Sequence, residues 1–270
     1  MRRWMLSLCL LALLGALAAC QVAEPAPEPL PTLVDIAALP TTDFLTQNAP
    51  PVGFDEVSFD PLDRALGERL GWAYTIVGEF EGTFVDTGEP AEGDFTLQVW
   101  ADELGEARRA IFEIEGLALA QQEFVRLEGV RLSNDTYVVD INGQCSPGDE
   151  GSSVVADLSA GQLIGGVARA TPTGHRDTID DVPVWQYTFA PEVLRLATIR
   201  GEPDSAISVE ADLWIAPGVN AVARFEASVE VANARVLTSE RAVSGTLFLR
   251  YDLDLTQIDT RPNISIPHGC

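Results

Sequence analysis

Few side chains in this sequence can do covalent or acid–base chemistry. Two histidines, His175 and His268, and four cysteines, Cys9, Cys20, Cys145 and Cys270, make up its imidazoles and thiols. All 17 basic residues are arginine, so no lysine exists to form a Schiff base, act as a general base or close a phosphate-binding loop. Ser152-Ser153 and Ser244-Gly245 lack the Gly-x-Ser-x-Gly turn that exposes a catalytic serine. His175 sits in Thr173-Gly174-His175-Arg176-Asp177, which reads as a solvated loop, and His268 reads as tail. Asp177, Asp180 and Asp181 form one acidic group, and Asp149 with Glu150 another. Neither has the alternating ligands, turn glycine and distal glutamate of a calcium loop. With 41 acidic residues in the chain, chance groupings are expected. The residues therefore predict no enzyme, no cofactor and no metal site. A net charge of −24 also argues against a nucleic-acid partner, whose phosphates it would repel.

The cysteines take their meaning from the segments around them. Arg2 and Arg3 precede an apolar run from Met5 to Ala19, broken only by Ser7 and Gly15. That is an export signal, because the run is shorter than the roughly 20 residues a spanning helix needs. It ends in Leu17-Ala18-Ala19-Cys20, which resembles the bacterial lipobox. The resemblance implies cleavage before Cys20 and a diacylglyceryl group on its thiol. It also implies anchorage at the outer face of the cell membrane, or at the periplasmic side of an outer membrane. Residues 1–19 are then the signal, and losing Arg2 and Arg3 takes the charge to 15 − 41 = −26. Residues 20–52 read as a tether, in which Pro25, Pro27, Pro29 and Pro31 favour an extended polyproline spacer. Cys145 and Cys270 remain as the only other thiols of the exported chain, and a disulfide between them is expected.

Residues 53–270 form the folded part, and the 46% hydrophobic content of the chain excludes wholesale disorder. Its dominant signal is period two, as in Ile207–Ile215, Ala221–Val231 and Leu247–Leu255. Further strands are expected at Ala73–Val85, Phe95–Ala101, Ala110–Glu115, Val125–Leu132, Tyr137–Asn142 and Val184–Phe189. Two segments break the period. Ser152–Ala168 has near-helical apolar spacing with Ser152 or Ser153 as N-cap, and Gly161 suggests a bend or two short helices. Pro191–Ile199 reads as a second helix or a turn. The fold class is α+β.

Three passages then carry a resemblance. They are Ile179-Asp180-Asp181-Val182-Pro183-Val184-Trp185-Gln186-Tyr187-Thr188-Phe189, Val209–Ala216 feeding Ala223-Arg224-Phe225, and Tyr251–Leu255 followed by Pro262–Pro267. In this order they resemble lipoproteins of the LolA/LppX-like class, over about residues 70–270. The resemblance implies a curved antiparallel sheet, a half-open β-barrel, with one or two helices covering its concave face. It implies a lipid or acyl-chain ligand in an apolar cavity there. Candidate ligand residues are Trp100, Leu163, Trp185, Tyr187 and Trp214. Trp100 and Trp214 fall opposite their strands' aliphatic residues, which fits either a second packing layer or a ligand surface. The competing reading is a surface-anchored structural or adhesion β-domain without a ligand cavity. Any protein partner is unspecified.

Overall fold

The computed structural model describes residues 49–148 and 150–270; the signal, Cys20 and the tether through Asn48 lie outside them. Among the described residues, period-two patterning produces thirteen strands in one antiparallel sheet. The N-terminal half supplies β1 (Val57–Phe59), β2 (Gly71–Phe84), β3 (Pro90–Asp102), β4 (Ala107–Glu115), β5 (Phe124–Leu132), β6 (Asp135–Asp140) and β7 (Cys145–Pro147). Two short helices follow, α1 (Glu150–Ala156) and α2 (Ala160–Leu163). The remainder is β8 (Gly166–Ile179), β9 (Val182–Thr188), β10 (Leu194–Arg195), β11 (Ile199–Ala216), β12 (Ala221–Val236) and β13 (Val243–Leu253). The order is β1-β8-β9-β11-β12-β13-β2-β3-β4-β5-β6-β7, with β10 paired to β8. The sheet is open, with β1 and β7 at its ends. Among the described residues no helix is long and apolar enough to cross a membrane.

Register follows from one row of side chains. Tyr187, Leu213, Phe225, Tyr251, Ile76, Leu97 and Phe112 stand opposite one another from β9 across to β4. All are buried on a single face. Slipping any strand by one residue would turn its member of the row to water. Each such burial stabilises by about 1.5–3 kcal/mol. The other face carries ion pairs such as Arg224–Asp252 and Arg250–Glu226. At Gly82 and Gly245, paired in β2 and β13, an added Cβ would overlap the facing carbonyls of Ser244 and Glu81. Only glycine permits that approach, as at a tight bend in a curved sheet.

The helical segment is shorter than its spacing suggests. It is split at Asp157–Ser159, and Gly166 already begins β8. Ser152 and Ser153 lie inside α1; the cap is Ser159, which forms a capping box with Gln162 on α2. α1 lies against β5 on the buried face, so that a Cβ at Gly129 would strike its backbone. Val154 does not face the sheet; it is 60% exposed. Pro191–Val193 is a single 3-10 turn. β8 was expected in part as helix and in part as loop. Pro172 and Gly174 explain the difference: they fall where its register with β9 shifts, so a bulge absorbs residues that read as breakers. Asp180 and Asp181, both at positive φ, form the two-residue β8–β9 turn. Their acidity is thus turn chemistry, since aspartate tolerates the left-handed region.

The C-terminal tail crosses the sheet end. Asp259 N–H donates to Gly71 C=O, and Arg261 donates to both oxygens of Asp102. The Cys145–Cys270 disulfide then pins the last residue to β7, with the two Cα atoms 5.3 Å apart.

Candidate functional site

The site arises from a mismatch of strand lengths. β11 spans 18 residues, whereas β9 spans 7 and pairs with it only at Leu213–Ile215. Beyond Thr188 the chain reaches Pro191, which has no N–H to continue a ladder and begins the 3-10 turn. The chain next pairs with β8 through Leu194 and Arg195, away from β11. It returns through Leu196 to Ile199, where β11 starts. β11 itself bulges between Gly201 and Ala206, with Asp204 at φ 66°. From Ala206 to Asp212, among the described strands, β11 is paired on its β12 side only.

The result is a groove of ≈ 540 Å³ between Pro191–Ile199 and β11. Leu194, Leu196, Ile199, Ile207 and Val209 supply its apolar walls, with Pro191, Glu192 and Ser208. Ile207 lies opposite Val231 on the face that is buried elsewhere, yet it is 46% exposed. An adjoining depression of ≈ 390 Å³ shares Ile207 and Ser208 and continues over Val231, Gly245 and Thr246. A wider cleft of ≈ 620 Å³ lies near the β11–β12 turn, but Glu56, Arg64 and Glu68 line it beside Val57 and Phe59. An alkyl chain there would desolvate charged groups, so the β11 groove is the better apolar site.

One wall of the groove is tied to a buried polar cluster. Tyr74 Oη accepts from Ala160 N–H at 2.9 Å and donates to Asp63 Oδ2 at 3.2 Å. Arg108 lies over Trp72 and donates to Leu158 C=O at 2.7 Å. Burial, aided by Asp63, pushes the Tyr74 phenol up, so it keeps its proton. These bonds fasten the α2 loop to β2 and β4. Leu163 C=O in turn accepts from Thr198 N–H, which joins that loop to the groove wall.

The five sequence-derived ligand residues do not converge. Leu163 is buried at 6% exposure and packs in the core. Trp185 and Tyr187 share the buried face of β9 opposite Ile215 and Leu213. Tyr187 donates to Phe54 C=O at 2.8 Å, and burial with nearby Asp55 pushes its phenol up to about 12. Trp100 and Trp214 stand on the other face, the first under the Arg109 guanidinium and the second edge-on to His175. None of the five lines the groove. Its residues were legible only as strand or helix positions, because a groove made by missing strand pairing has no local pattern. The available signal was the excess length of the Ile207–Ile215 alternation over Val184–Phe189.

No family model matches the sequence, and no curated relative matches it. Several solved structures are similar. LprF from Mycobacterium bovis is 12% identical with a TM-score of 0.33, over 77% of this chain and 93% of that one. A LolA superfamily protein from Nitrosomonas europaea is 12% identical with a TM-score of 0.23, over 78% and 96%. An uncharacterized conserved protein from Thermus thermophilus is 12% identical with a TM-score of 0.26, over 76% and 85%.

Proposed function

We propose that this chain is an extracytoplasmic, membrane-anchored binder or carrier of a lipid acyl chain, which lies in the β11 groove. The observation that carries the reading is Ile207, an exposed aliphatic on the core face of β11, whose outer edge has no partner among the described strands from Ala206 to Asp212. At the sheet centre Leu213, Phe225, Tyr251, Ile76 and Leu97 are at 0% exposure, so no water-sized void touches these five. In this reading the ligand lies at the split of the sheet, not at its centre. There an acyl chain gains about 0.8 kcal/mol per buried methylene, without any catalytic group. The disulfide supports export, since such bonds persist in oxidising compartments. Lipidated Cys20 would supply the anchor.

The test is a titration of the untethered domain with an uncharged, environment-sensitive apolar dye. Saturable binding is expected in wild type and a loss of at least tenfold in Ile207→Asp, with both proteins melting cooperatively. Equal dye binding by the folded variant, or none by wild type, would leave the structural β-domain as the better account.

A further inference from the structure

The charges around the groove bear on which amphiphile it takes. Glu192 is the single ionisable residue in its lining. Glu210 follows Val209 on β11, and Glu230 accepts from Ser208 at the adjoining depression. The arginines of the surrounding segments are not among the lining residues. Arg195 pairs with Asp60 at 3.5 Å, Arg200 donates to Leu237 C=O at 2.8 Å, and Arg235 pairs with Glu202 at 2.6 Å. The groove lining itself thus offers the Glu192 carboxylate and no guanidinium to a ligand head. The β11 edge beside it, without a strand partner from Ala206 to Asp212 among the described strands, offers backbone N–H and C=O groups, and Ser208 is among the lining residues. These hydrogen-bond an ester or a hydroxyl without requiring charge.

We propose that the groove selects a single acyl chain ending in an uncharged, hydroxyl-bearing ester head, of acylglycerol type, over a fatty acid or an anionic phospholipid. Its volume of ≈ 540 Å³ falls in the range of a site for one small ligand, roughly 300–1,000 Å³, and not for a bundle of chains. The proposal rests on the acyl-binding reading above and adds the sign of the head group. A carboxylate head about 4 Å from Glu192 in exposed surroundings costs about 1 kcal/mol, or about fivefold in affinity.

The experiment compares two twelve-carbon probes, monododecanoylglycerol and dodecanoate, by calorimetric titration of the untethered domain at pH 7.5 and low salt. Wild type is expected to bind the glyceryl ester at least fivefold tighter. Glu192→Gln should narrow the ratio and Glu192→Lys should bring it to unity or invert it, with ester affinity changed less than twofold. Equal or tighter binding of dodecanoate by wild type would overturn the selectivity while leaving acyl binding intact. A ratio unmoved by Glu192→Lys would overturn the role of the rim. Binding of neither probe would overturn both readings.

Discussion

Removing the Cys145–Cys270 bridge should lower stability more than any other change to the C-terminal tail. The bridge joins residues 125 positions apart, so the unfolded chain loses a large loop's worth of freedom. In the chain-entropy model that constraint stabilises the fold by about 5 kcal/mol at 25 °C. For a domain of this size about 1 kcal/mol shifts the melting temperature by about 2–4 °C, so Cys145→Ser/Cys270→Ser should melt about 10–20 °C lower. Arg261, half exposed and paired with Asp102, holds the same tail through solvent-screened charge. Arg261→Gln should therefore cost clearly less than the double serine variant. Thermal unfolding of the untethered domain, followed by far-ultraviolet circular dichroism, measures both. The reasoning fails if the double variant melts within about 3 °C of wild type. It fails equally if labelling of unreduced, denatured protein finds two free thiols.

Acid titration gives a second check on that tail. Hydrogen bonds from Arg261 and then Gly105 hold the Asp102 carboxyl below the usual carboxylate range. A carboxylate with a lowered folded pKa stabilises above its unfolded value of about 4 and loses the contribution as pH falls through the folded value. Arg261→Gln should thus be less stable than wild type at pH 6, with the gap closing below about pH 4, as read from urea midpoints. At the other terminus, Cys20→Ser expressed in a bacterium should accumulate as unprocessed precursor or be released, and should leave the detergent phase on Triton X-114 partition. Normal processing with unchanged partition would remove lipidation from the account.

The strand pattern was legible because one face of each central strand is buried and the other is solvated. Leu247, Leu249, Tyr251 and Leu253 announce this in sequence and are all buried in the fold. The disulfide was legible by count, once the expected export signal and lipobox set aside Cys9 and Cys20. β8 was not, since Pro172 and Gly174 are tolerated only because its ladder bulges there. The helices were overestimated because Leu163, Ile164 and Val167 are apolar for burial, whether in a helix, a loop or a strand. Periodicity cannot separate those cases. Trp100 and Trp214 were placed correctly on the face opposite the aliphatics, but there they meet Arg109 and His175. The groove lay beyond sequence reach for a different reason. Leu194, Leu196, Ile207 and Val209 are ordinary core types, and only the divergence of β9 from β11 leaves them uncovered.

Photolabelling tests the central claim most directly. An uncharged acyl ester carrying a diazirine near the middle of its chain would be irradiated with the untethered domain, and adducts mapped by peptide mass spectrometry. The account predicts saturable labelling confined to Pro191–Val209 and the facing Val231–Thr246 stretch, displaced by unlabelled ester. Labelling concentrated at Phe54–Glu68, or scattered and unsaturable over the sheet, would contradict it.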